Sequence, residues 1–589
     1  MRCSAVVLVL SLSAVVLTLG GEPPEAKDAS AEQPASSFHV APTNLDATLP
    51  TLRAAVERYR ADEGSLSRSD STPMSDQRSK RRDQFYDTWL KTLNEIDFDA
   101  LAHSGQVDYV LLRNNLERER TRLAHEDDRD EEIQSLAPFA QTITELDIAR
   151  RRMTPIDSAK TAEQLTQLAR QVDEARKAVD DKKTTASRQV ANRALRRLEQ
   201  LRRTLRSWQG FYDSYDPVFT WWTAEPYKAA DQALEKYAGI VREKLIGSEK
   251  GNDDIIGDPI GREALLAELA HEFVVYTPEE LIEIANKEFA WCEAEYKKAA
   301  ADLGYKDDWR AALEHVKKLH VGPGEQPELI RKLAVEAIEF LDERDLVTIP
   351  PLCRETWRME MMSPERQRVS PFFTGGEVIT VSFPTAGMSH EDKLMSMRGN
   401  NIHFSRATVQ HELIPGHHLQ GFMANRYHAH RREFNTAFLV EGWALYWEML
   451  LWDLGFPKSA EDRIGMLFWR SHRCARIIFS LRFHLGEMTA AEAINFLIDR
   501  VGHEPANAAA EVRRSVAGNY GPLYQAAYML GGLQIRALRR ELVEAQKMTD
   551  REFHDAILKE NSIPIDLIRA SLKQQPLSRD YKSTWRFYD

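Results

Sequence analysis

A proline and a glycine stand between two histidines in the C-terminal half of the chain, and together they limit the folds open to it. The eight residues from His411 read HELIPGHH. On an undisturbed helix, His417 would point about 240° away from His411, while His418 would share its face about 10.5 Å along the axis. Pro415 lacks an N–H and crowds the preceding turn, and Gly416 permits backbone angles that other residues avoid. The pattern predicts a helix that breaks here and returns His417 to the face of His411.

The same histidines fit a zinc site. In zinc peptidases with an H-E-x-x-H helix, both histidines bind the metal and the adjacent glutamate acts as a base. We therefore expect His411 and His417 to bind zinc and Glu412 to act as general base on a zinc-bound water. A helix interrupted by proline costs about 3 kcal/mol or more, whereas structural zinc binding returns on the order of 10 kcal/mol. Metal binding can thus stabilise the break.

A third ligand is predicted from a second helix. Residues 440–448 read VEGWALYWE, an apolar run with Glu441 near its start and Glu448 at its end. A carboxylate buried in such a run is unfavourable without a partner, so we expect Glu441 to complete the zinc site. Glu448 lies seven residues further on and on the same face. It would orient a ligand histidine without itself binding the metal, or else be a solvated or salt-bridged acid. His418 is expected to pack beside the site rather than to bind the metal.

The remaining sequence is typical of a mainly α protein. The chain has 589 residues, of which 43% are apolar and 29% charged, within the range of globular domains. Leu165, Leu168 and Val172 recur at helical spacing, and residues 277–280 (TPEE) are typical of a helix start. The best strand signal covers residues 377–383. We predict a large multi-helix fold with a small antiparallel β element near the cleft that holds the site.

Composition divides the chain into a leader, a linker and a helical domain. Residues 1–21 combine a basic residue with a short apolar run and small residues, which is typical of a signal peptide; an uncleaved N-terminal anchor is the alternative. Residues 22–48, rich in Pro, Ala, Ser and Glu, are predicted to be a disordered linker. The helical domain is expected to cover 49–589, with an N-terminal part at 49–245 and a part carrying the zinc site at 262–589.

Charge and apolar segments limit the partners of the chain. The formal net charge of −12 would repel nucleic acid and anionic membranes, and no later segment is long and apolar enough to span a bilayer. We expect an exported protein, periplasmic or extracellular, that binds a peptide substrate and no nucleic acid, with no membrane contact beyond a cleavable leader. Cys292, Cys353 and Cys474 lack disulfide or metal-ligand spacing and are expected to be buried free thiols.

Two motifs carry a resemblance to a known family. Residues 411–420 match H-E-x-x-P-G-H-H-x-Q and residues 441–448 match E-G-W-A-x-Y-x-E. These patterns resemble those of the domain-of-unknown-function 885 (DUF885) family, whose members are predicted zincin-type metallopeptidases. The resemblance implies a zincin-like, mostly helical fold with an active-site cleft, broadly similar to thimet oligopeptidase, angiotensin-converting enzyme and carboxypeptidase Taq. It also implies that two histidines and a later glutamate hold the zinc.

Three C-terminal segments depart from the pattern of that family. Where the family has R-A-x-R-L-V-x-D-x-G-x-H, residues 473–484 keep both arginines and His484 but lose the Asp and the Gly. The family's E-x-x-R-Y ends here in Ser515, and its P-G-Q-A segment appears as residues 523–526, with Tyr528 kept. The metal site is therefore intact, while the departures fall in the half expected to bind substrate.

These residues predict zinc-dependent hydrolysis of peptide bonds in small or unfolded peptides. Glu412 would take a proton from water and pass it to the leaving amine, and the developing oxyanion needs a donor besides the metal. The candidates for that donor are Tyr528, Tyr520, Tyr524 and His484. Arg476 or Arg514 would hold a substrate carboxylate by a bidentate contact, or else form ion pairs within the fold. The predicted strand would align the substrate by backbone pairing.

Two other functional classes fit the same residues. The chain could be a non-catalytic, zinc-containing peptide-binding protein, which the departures in the C-terminal half favour. It could also be a zinc hydrolase that acts on a non-peptide amide or ester. Loss of peptide cleavage in Glu412→Gln separates peptide hydrolysis from both.

Overall fold

Helices account for most of the chain in the computed structural model, which describes residues 51–247, 255–367, 372–517 and 520–588. The mainly α class predicted from the sequence is confirmed. The predicted signal peptide and linker both lie outside the described residues. Within the described ranges, no helix combines the length and the apolar character needed to cross a bilayer.

The helices and strands are numbered in chain order. The N-terminal helices are α1 (Arg53–Ser69), α2 (Asp76–Asn94), α3 (His103–Glu132), α4 (Ala140–Arg151), α5 (Ser158–Asp180), α6 (Arg188–Tyr212) and α7 (Pro217–Ile240). The middle elements are α8 (Arg262–His271), α9 (Pro278–Asp302), α10 (Trp309–Lys317), α11 (Gln326–Glu343), α12 (Pro351–Thr356), β1 (Arg358–Met361), α13 (Pro364–Gln367), β2 (Val378–Val381) and α14 (His390–Gly399). The C-terminal helices are α15 (Ile402–Glu412), α16 (His417–Ala424), α17 (Ala437–Asp453), α18 (Ala460–His484), α19 (Ala490–Val501), α20 (Pro505–Ala517), α21 (Tyr524–Arg539), α22 (Asp550–Lys559) and α23 (Ile565–Leu572).

Local sequence signals explain where several helices begin. Thr277, Thr489 and Thr549 each accept a hydrogen bond from the backbone N–H three residues on, and the glutamate at that position accepts one from the threonine N–H. These reciprocal bonds satisfy donors that the start of a helix leaves without partners. Along α5, Leu165 and Leu168 are fully buried, so the predicted apolar face packs inward.

Two large apolar cores organise the helices. One combines α1 to α3 with most of the helices from α8 onward, and Trp443 and Trp447 of α17 lie in it. The other belongs to α4 to α7, with Trp208 and Tyr237 buried in it. The first three helices therefore share their core with the part of the chain that carries the two histidines.

The two short strands are parallel, so the predicted antiparallel β element is wrong. β1 and β2 run in the same direction, with Arg358 opposite Val378 and Met361 opposite Val381. Gln367 of α13 donates to the Met362 carbonyl after β1, and its side-chain oxygen accepts from residues just after β2. Helix α13, which follows β1, thus lies at the carboxyl ends of both strands. The chain has to return to the opposite end before β2 begins, and two strands connected in this way run parallel.

Cysteine pairing plays no part in holding the described chain together. Cys292, Cys353 and Cys474 are buried free thiols, as their spacing predicted. Apolar cores and buried polar contacts, rather than disulfides, therefore hold the described residues together.

A buried ion network joins the N-terminal helices to the segment before α17. Arg431 is fully buried; its Nε donates to Asp108 Oδ1 of α3 at 2.7 Å, and its Nη2 donates to Ser104 Oγ at 2.9 Å. Arg431 also pairs with Glu560, and His430 Nε2 lies 3.0 Å from Asp108 Oδ2. Burial would raise the pKa of Asp108, but the contacts with His430 and Arg431 lower it overall, so the carboxylate stays ionised.

Arg431→Met is expected to destabilise the protein strongly, because it leaves the carboxylate of Asp108 buried without its arginine. Breaking a buried ion pair in this way costs about 3–5 kcal/mol. The free energy of unfolding of the variant, measured in urea, should fall by this amount. Arg53→Met is the matched control, since it removes only an exposed pair with Glu57 and should cost less than about 1 kcal/mol. Equal stability of the two variants would contradict a structural role for the network.

Candidate metal centre

The helix break predicted between the two histidines is present. Helix α15 ends at Glu412, one residue after His411, and α16 begins at His417. The ring centroids of His411 and His417 lie 4.8 Å apart, with the ring planes nearly perpendicular. The interruption around Pro415 therefore brings two histidines six positions apart to the same place.

Close backbone contacts hold the break in shape. A Cβ on Gly416 would lie 1.8 Å from the backbone oxygen of His411, so only glycine fits at this position. The N–H of Gly416 donates to the carbonyl of Gln410 at 3.0 Å. Trp443 of α17 donates its Nε1 hydrogen to the carbonyl of Pro415 at 2.8 Å. This hydrogen bond connects the break to α17, the helix that carries Glu441.

Three side chains present ligand atoms to one common point. Glu441 Oε2 lies 3.2 Å from His417 Nε2 and 3.6 Å from His411 Nε2, and the three ligand atoms all lie within 4.8 Å of one another. Around a tetrahedral zinc with bonds of about 2.0–2.1 Å, ligand atoms lie about 3.4 Å apart. The two distances from Glu441 to the imidazoles are therefore close to those around zinc, and two imidazoles with one carboxylate are a donor set that zinc accepts.

The carboxylate of Glu441 is poised to bind a cation. Glu441 is buried, and its Oε2 accepts no hydrogen bond from the described residues. Burial would raise its pKa, but the facing imidazoles of His417 and His411 lower the pKa well below its ordinary value. An ionised, buried oxygen without a hydrogen-bond donor is unfavourable unless a cation satisfies it.

Glu448 and His418 lie beside the ligands. Glu448 is 6% exposed, and its Oε1 lies 2.7 Å from His411 Nδ1, which excludes the solvated-acid alternative. With Nδ1 engaged, the Nε2 of His411 is left to face Glu441, as in other metal sites where a carboxylate orients a ligand histidine. His418 Nε2 lies 2.8 Å from the Cys353 carbonyl, so this ring packs against another part of the fold.

Glu412 lines the cleft next to the three ligand residues. Burial raises its pKa, while the nearby imidazoles of His411 and His417 oppose the shift. Its backbone oxygen accepts the N–H of Gly376 at 3.1 Å, and a Cβ on Gly375 would lie 2.3 Å from the Cβ of Glu412. The approach to β2 therefore passes directly over Glu412. The only sequence signal for this contact was the Gly-Gly pair before the predicted strand.

The tyrosines of α21 reach the same centre. The ring of Tyr528 is nearly parallel to that of His411, with centroids 6.2 Å apart, and the hydroxyl of Tyr524 donates to Glu441 Oε1. Tyr520 is 42% exposed and its ring lies against that of Tyr524. Burial raises the pKa of Tyr528 to about 12, so its hydroxyl keeps its proton at neutral pH.

The structure brings the predicted arginines to the cleft but not His484. Arg476 and Arg514 both line the cleft. His484, two turns beyond Arg476 on α18, is not among the lining residues; its pKa is lowered to about 4 by burial and by Arg129. The far end of α18 packs towards Arg129 and Asp258, which removes His484 from the group of side chains near the ligands.

The cleft itself has a volume of about 620 Å³, within the range of sites that bind small molecules. Its lining also includes residues that the sequence analysis did not assign to the site. The most important is Arg473, which lines the cleft beside Trp469 and Arg476. Its only sequence signal was its place in the arginine motif that resembles the family's.

Comparisons with known proteins identify the fold and the family. The family model described as "Bacterial protein of unknown function (DUF885)" matches residues 59–572. A candidate lipoprotein of unknown function from Shewanella oneidensis has a similar structure, with a TM-score of 0.65 and 18% identity over 88% of this chain and 98% of that one. A candidate lipoprotein from Colwellia psychrerythraea has a TM-score of 0.54 and 17% identity over 90% and 97% of the two chains. At these identities the likeness shows the fold alone. A search of curated proteins gives no match.

Gly416→Ala is expected to remove zinc from the protein, because the new Cβ would collide with the backbone of His411 and push His417 away. We expect about one zinc per chain in the wild type and much less in the variant, measured by elemental analysis after dialysis. Gly421→Ala on α16 is the control, since a Cβ there meets no atom within 4 Å. Full zinc content in Gly416→Ala would contradict the role of the break.

Proposed function

The chain belongs to the DUF885 family of bacterial proteins, and we propose that it is a zinc-dependent hydrolase of peptide bonds in small or unfolded peptides. One observation carries the proposal: the ligand atoms of His411, His417 and Glu441 converge on one point, and the carboxylate of Glu412 borders the same cleft. Two imidazoles, one carboxylate and an adjacent acid are the groups that zinc-assisted hydrolysis requires.

Zinc would supply the electrophile. Bound by His411, His417 and Glu441, it would polarise a substrate carbonyl and acidify water, as zinc does in other hydrolases. The buried, donor-free Oε2 of Glu441 supports this assignment, since that atom gains its missing partner from the cation. Glu448 would keep His411 turned towards the metal through the contact at Nδ1.

Glu412 is the proposed general base and acid. Its carboxylate would accept a proton from the attacking water and return that proton to the nitrogen of the leaving amine. The raised pKa of Glu412, which follows from its burial, brings it closer to the range in which one group can perform both transfers near neutral pH.

Tyr528 is the proposed donor to the developing oxyanion. Its pKa of about 12 keeps the hydroxyl protonated and able to donate. The hydroxyl of Tyr524 already donates to Glu441, and Tyr520 is 42% exposed, so Tyr528 is the best placed of the three tyrosines. A buried donor directed at developing charge is worth more than one in water.

The substrate is proposed to be a short peptide. A cleft of about 620 Å³ has the size of small-ligand sites and is too small for a folded protein. The segment leading to β2 passes over Glu412 and offers backbone groups for pairing with an extended chain. An exported location, periplasmic or extracellular, remains part of the proposal and follows from the predicted leader.

Glu412→Gln is expected to abolish most peptide cleavage, because glutamine cannot accept the proton. The turnover number on a mixture of peptides should fall by about 10²- to 10⁴-fold. Mass spectrometry of the products measures this turnover. Zinc content should match the wild type, since Glu412 is not among the three ligand residues. A zinc-loaded wild type that cleaves no peptide contradicts the proposal, and turnover confined to small amides or esters favours a non-peptide hydrolase instead.

Tyr528→Phe is expected to lower kcat more than it changes KM, because the hydroxyl is needed only as negative charge develops. Loss of one oxyanion donor costs about 10²- to 10³-fold in kcat. Tyr520→Phe, which removes a hydroxyl from an exposed ring at the same cleft, should have little effect. The result that would eliminate Tyr528 as donor is a wild-type kcat in Tyr528→Phe with zinc bound.

A further inference from the structure

We infer that three arginines beside the metal centre form a pocket for the free C-terminal carboxylate of the substrate, so that the enzyme acts at the C-terminal end of short peptides. The inference rests on the proposed hydrolytic function and adds the substrate class. The arginines are Arg473 and Arg476 of α18 and Arg514 of α20, which all line the cleft.

The charge of the cleft is opposite to that of the chain. The cleft is lined by the arginines Arg366, Arg432, Arg473, Arg476 and Arg514. Its acidic lining residues are Glu412 and Glu441, and both belong to the metal centre. The chain as a whole carries a formal charge of −12. A positive cleft in an acidic protein indicates an anionic group on the ligand.

The three arginines have fewer carboxylate partners than they have guanidinium groups. Arg476 Nε donates to Glu511 Oε1 at 2.7 Å, and that is the closest carboxylate contact in the group. Arg473 Nη2 lies 3.7 Å from Glu448 Oε1, and that oxygen is already taken by His411 at 2.7 Å. Electrostatic attraction to Glu511 also raises the pKa of Arg514, so one acid serves two guanidinium groups.

Several N–H groups of these arginines are buried without an acceptor. Arg473 and Arg476 are 5% and 3% exposed. Among the described residues, nothing accepts from Arg473 Nε, Arg476 Nη1 or Arg514 Nε. Buried charged donors without partners are rare because they are unfavourable. A carboxylate in the cleft would give these guanidinium groups an acceptor that the protein does not provide.

One aromatic ring separates the arginines from the metal centre. The guanidinium carbons of Arg473 and Arg476 lie 4.8 Å and 4.5 Å from the ring centroid of Tyr528, and the same ring is stacked on His411. An extended peptide advances about 3.5 Å per residue. A carboxylate held there would therefore lie about one to two residues from a carbonyl at the metal centre.

The burial of the pocket favours a chain end over an acidic side chain. Arg473 and Arg476 are almost completely enclosed, which favours a ligand group that ends beside them. A terminal carboxylate ends the chain at that point and offers two oxygens for bidentate contacts with guanidinium groups. The geometry thus points to removal of one or two residues from the C-terminus.

The test compares matched peptides that differ only at the C-terminus, as free acid or as amide, with the zinc-loaded full-length protein. We expect kcat/KM to be about 10- to 100-fold higher for the acid, as for a charge-assisted contact. Arg514→Gln should reduce this acid-to-amide ratio by about tenfold or more. Arg470→Gln is the control: Arg470 is a buried arginine on the same helix that pairs with Glu288, and this variant should keep the ratio.

The outcomes separate this inference from the proposed function. Equal cleavage of acid and amide overturns the pocket and leaves peptide hydrolysis standing. If no peptide is cleaved, calorimetry with Glu412→Gln decides: tighter binding of the acid supports the pocket although the hydrolytic function fails, and equal binding overturns both. A second pair of peptides, both amides, carries Glu or Gln after the cleaved bond. A preference for Glu there, as large as that for the free acid, would overturn the assignment to the C-terminus.

Discussion

The convergence of two imidazoles and one carboxylate is the contact on which the rest of this structure depends. Glu441 is buried with one oxygen free of hydrogen bonds, and Glu448 is committed to His411. Without a cation, this arrangement buries negative charge against groups that only partly neutralise it. Binding of the proposed metal would remove that penalty, so the site and the packing of α15 against α17 would stabilise each other. The fold around the histidines is therefore expected to tighten when the metal is bound.

Glycines make this convergence compatible with close-packed helices. A Cβ on Gly442 would lie 2.6 Å from the backbone of Gly531, so α17 and α21 touch backbone to backbone beside Glu441. This contact carries Tyr524 and Tyr528 to the metal centre. On the opposite side, Gly375 lets the strand segment reach Glu412. The catalytic proposal and the helix packing thus rely on the same small residues.

The sequence predicted the parts of the site that depend on local chain geometry. The break between His411 and His417 follows from proline, glycine and helical periodicity, and Glu441 stands out because an acid in an apolar helix needs a partner. The predicted antiparallel pairing of β1 and β2 was wrong, because the relative direction of two strands depends on a crossover that no short-range pattern reveals. His484 was assigned from a motif position, yet the length of α18 carries it away from the cleft. The unmet donors of Arg473 appear only when three helices are packed together.

The departures from the sequence pattern that this chain resembles differ in their position relative to the cleft. Ser480, where the pattern has Asp, is buried with its hydroxyl near the Ile477 carbonyl, and it is not among the described residues that line the cleft. Tyr524, where the pattern has Gly, lies in the cleft and donates to Glu441. A phenol ring there fills space next to a proposed ligand and meets the ring of Tyr528 edge-on, with centroids 5.7 Å apart. Divergence in this chain therefore changes the cleft beside the proposed metal centre and leaves the three proposed ligands in place.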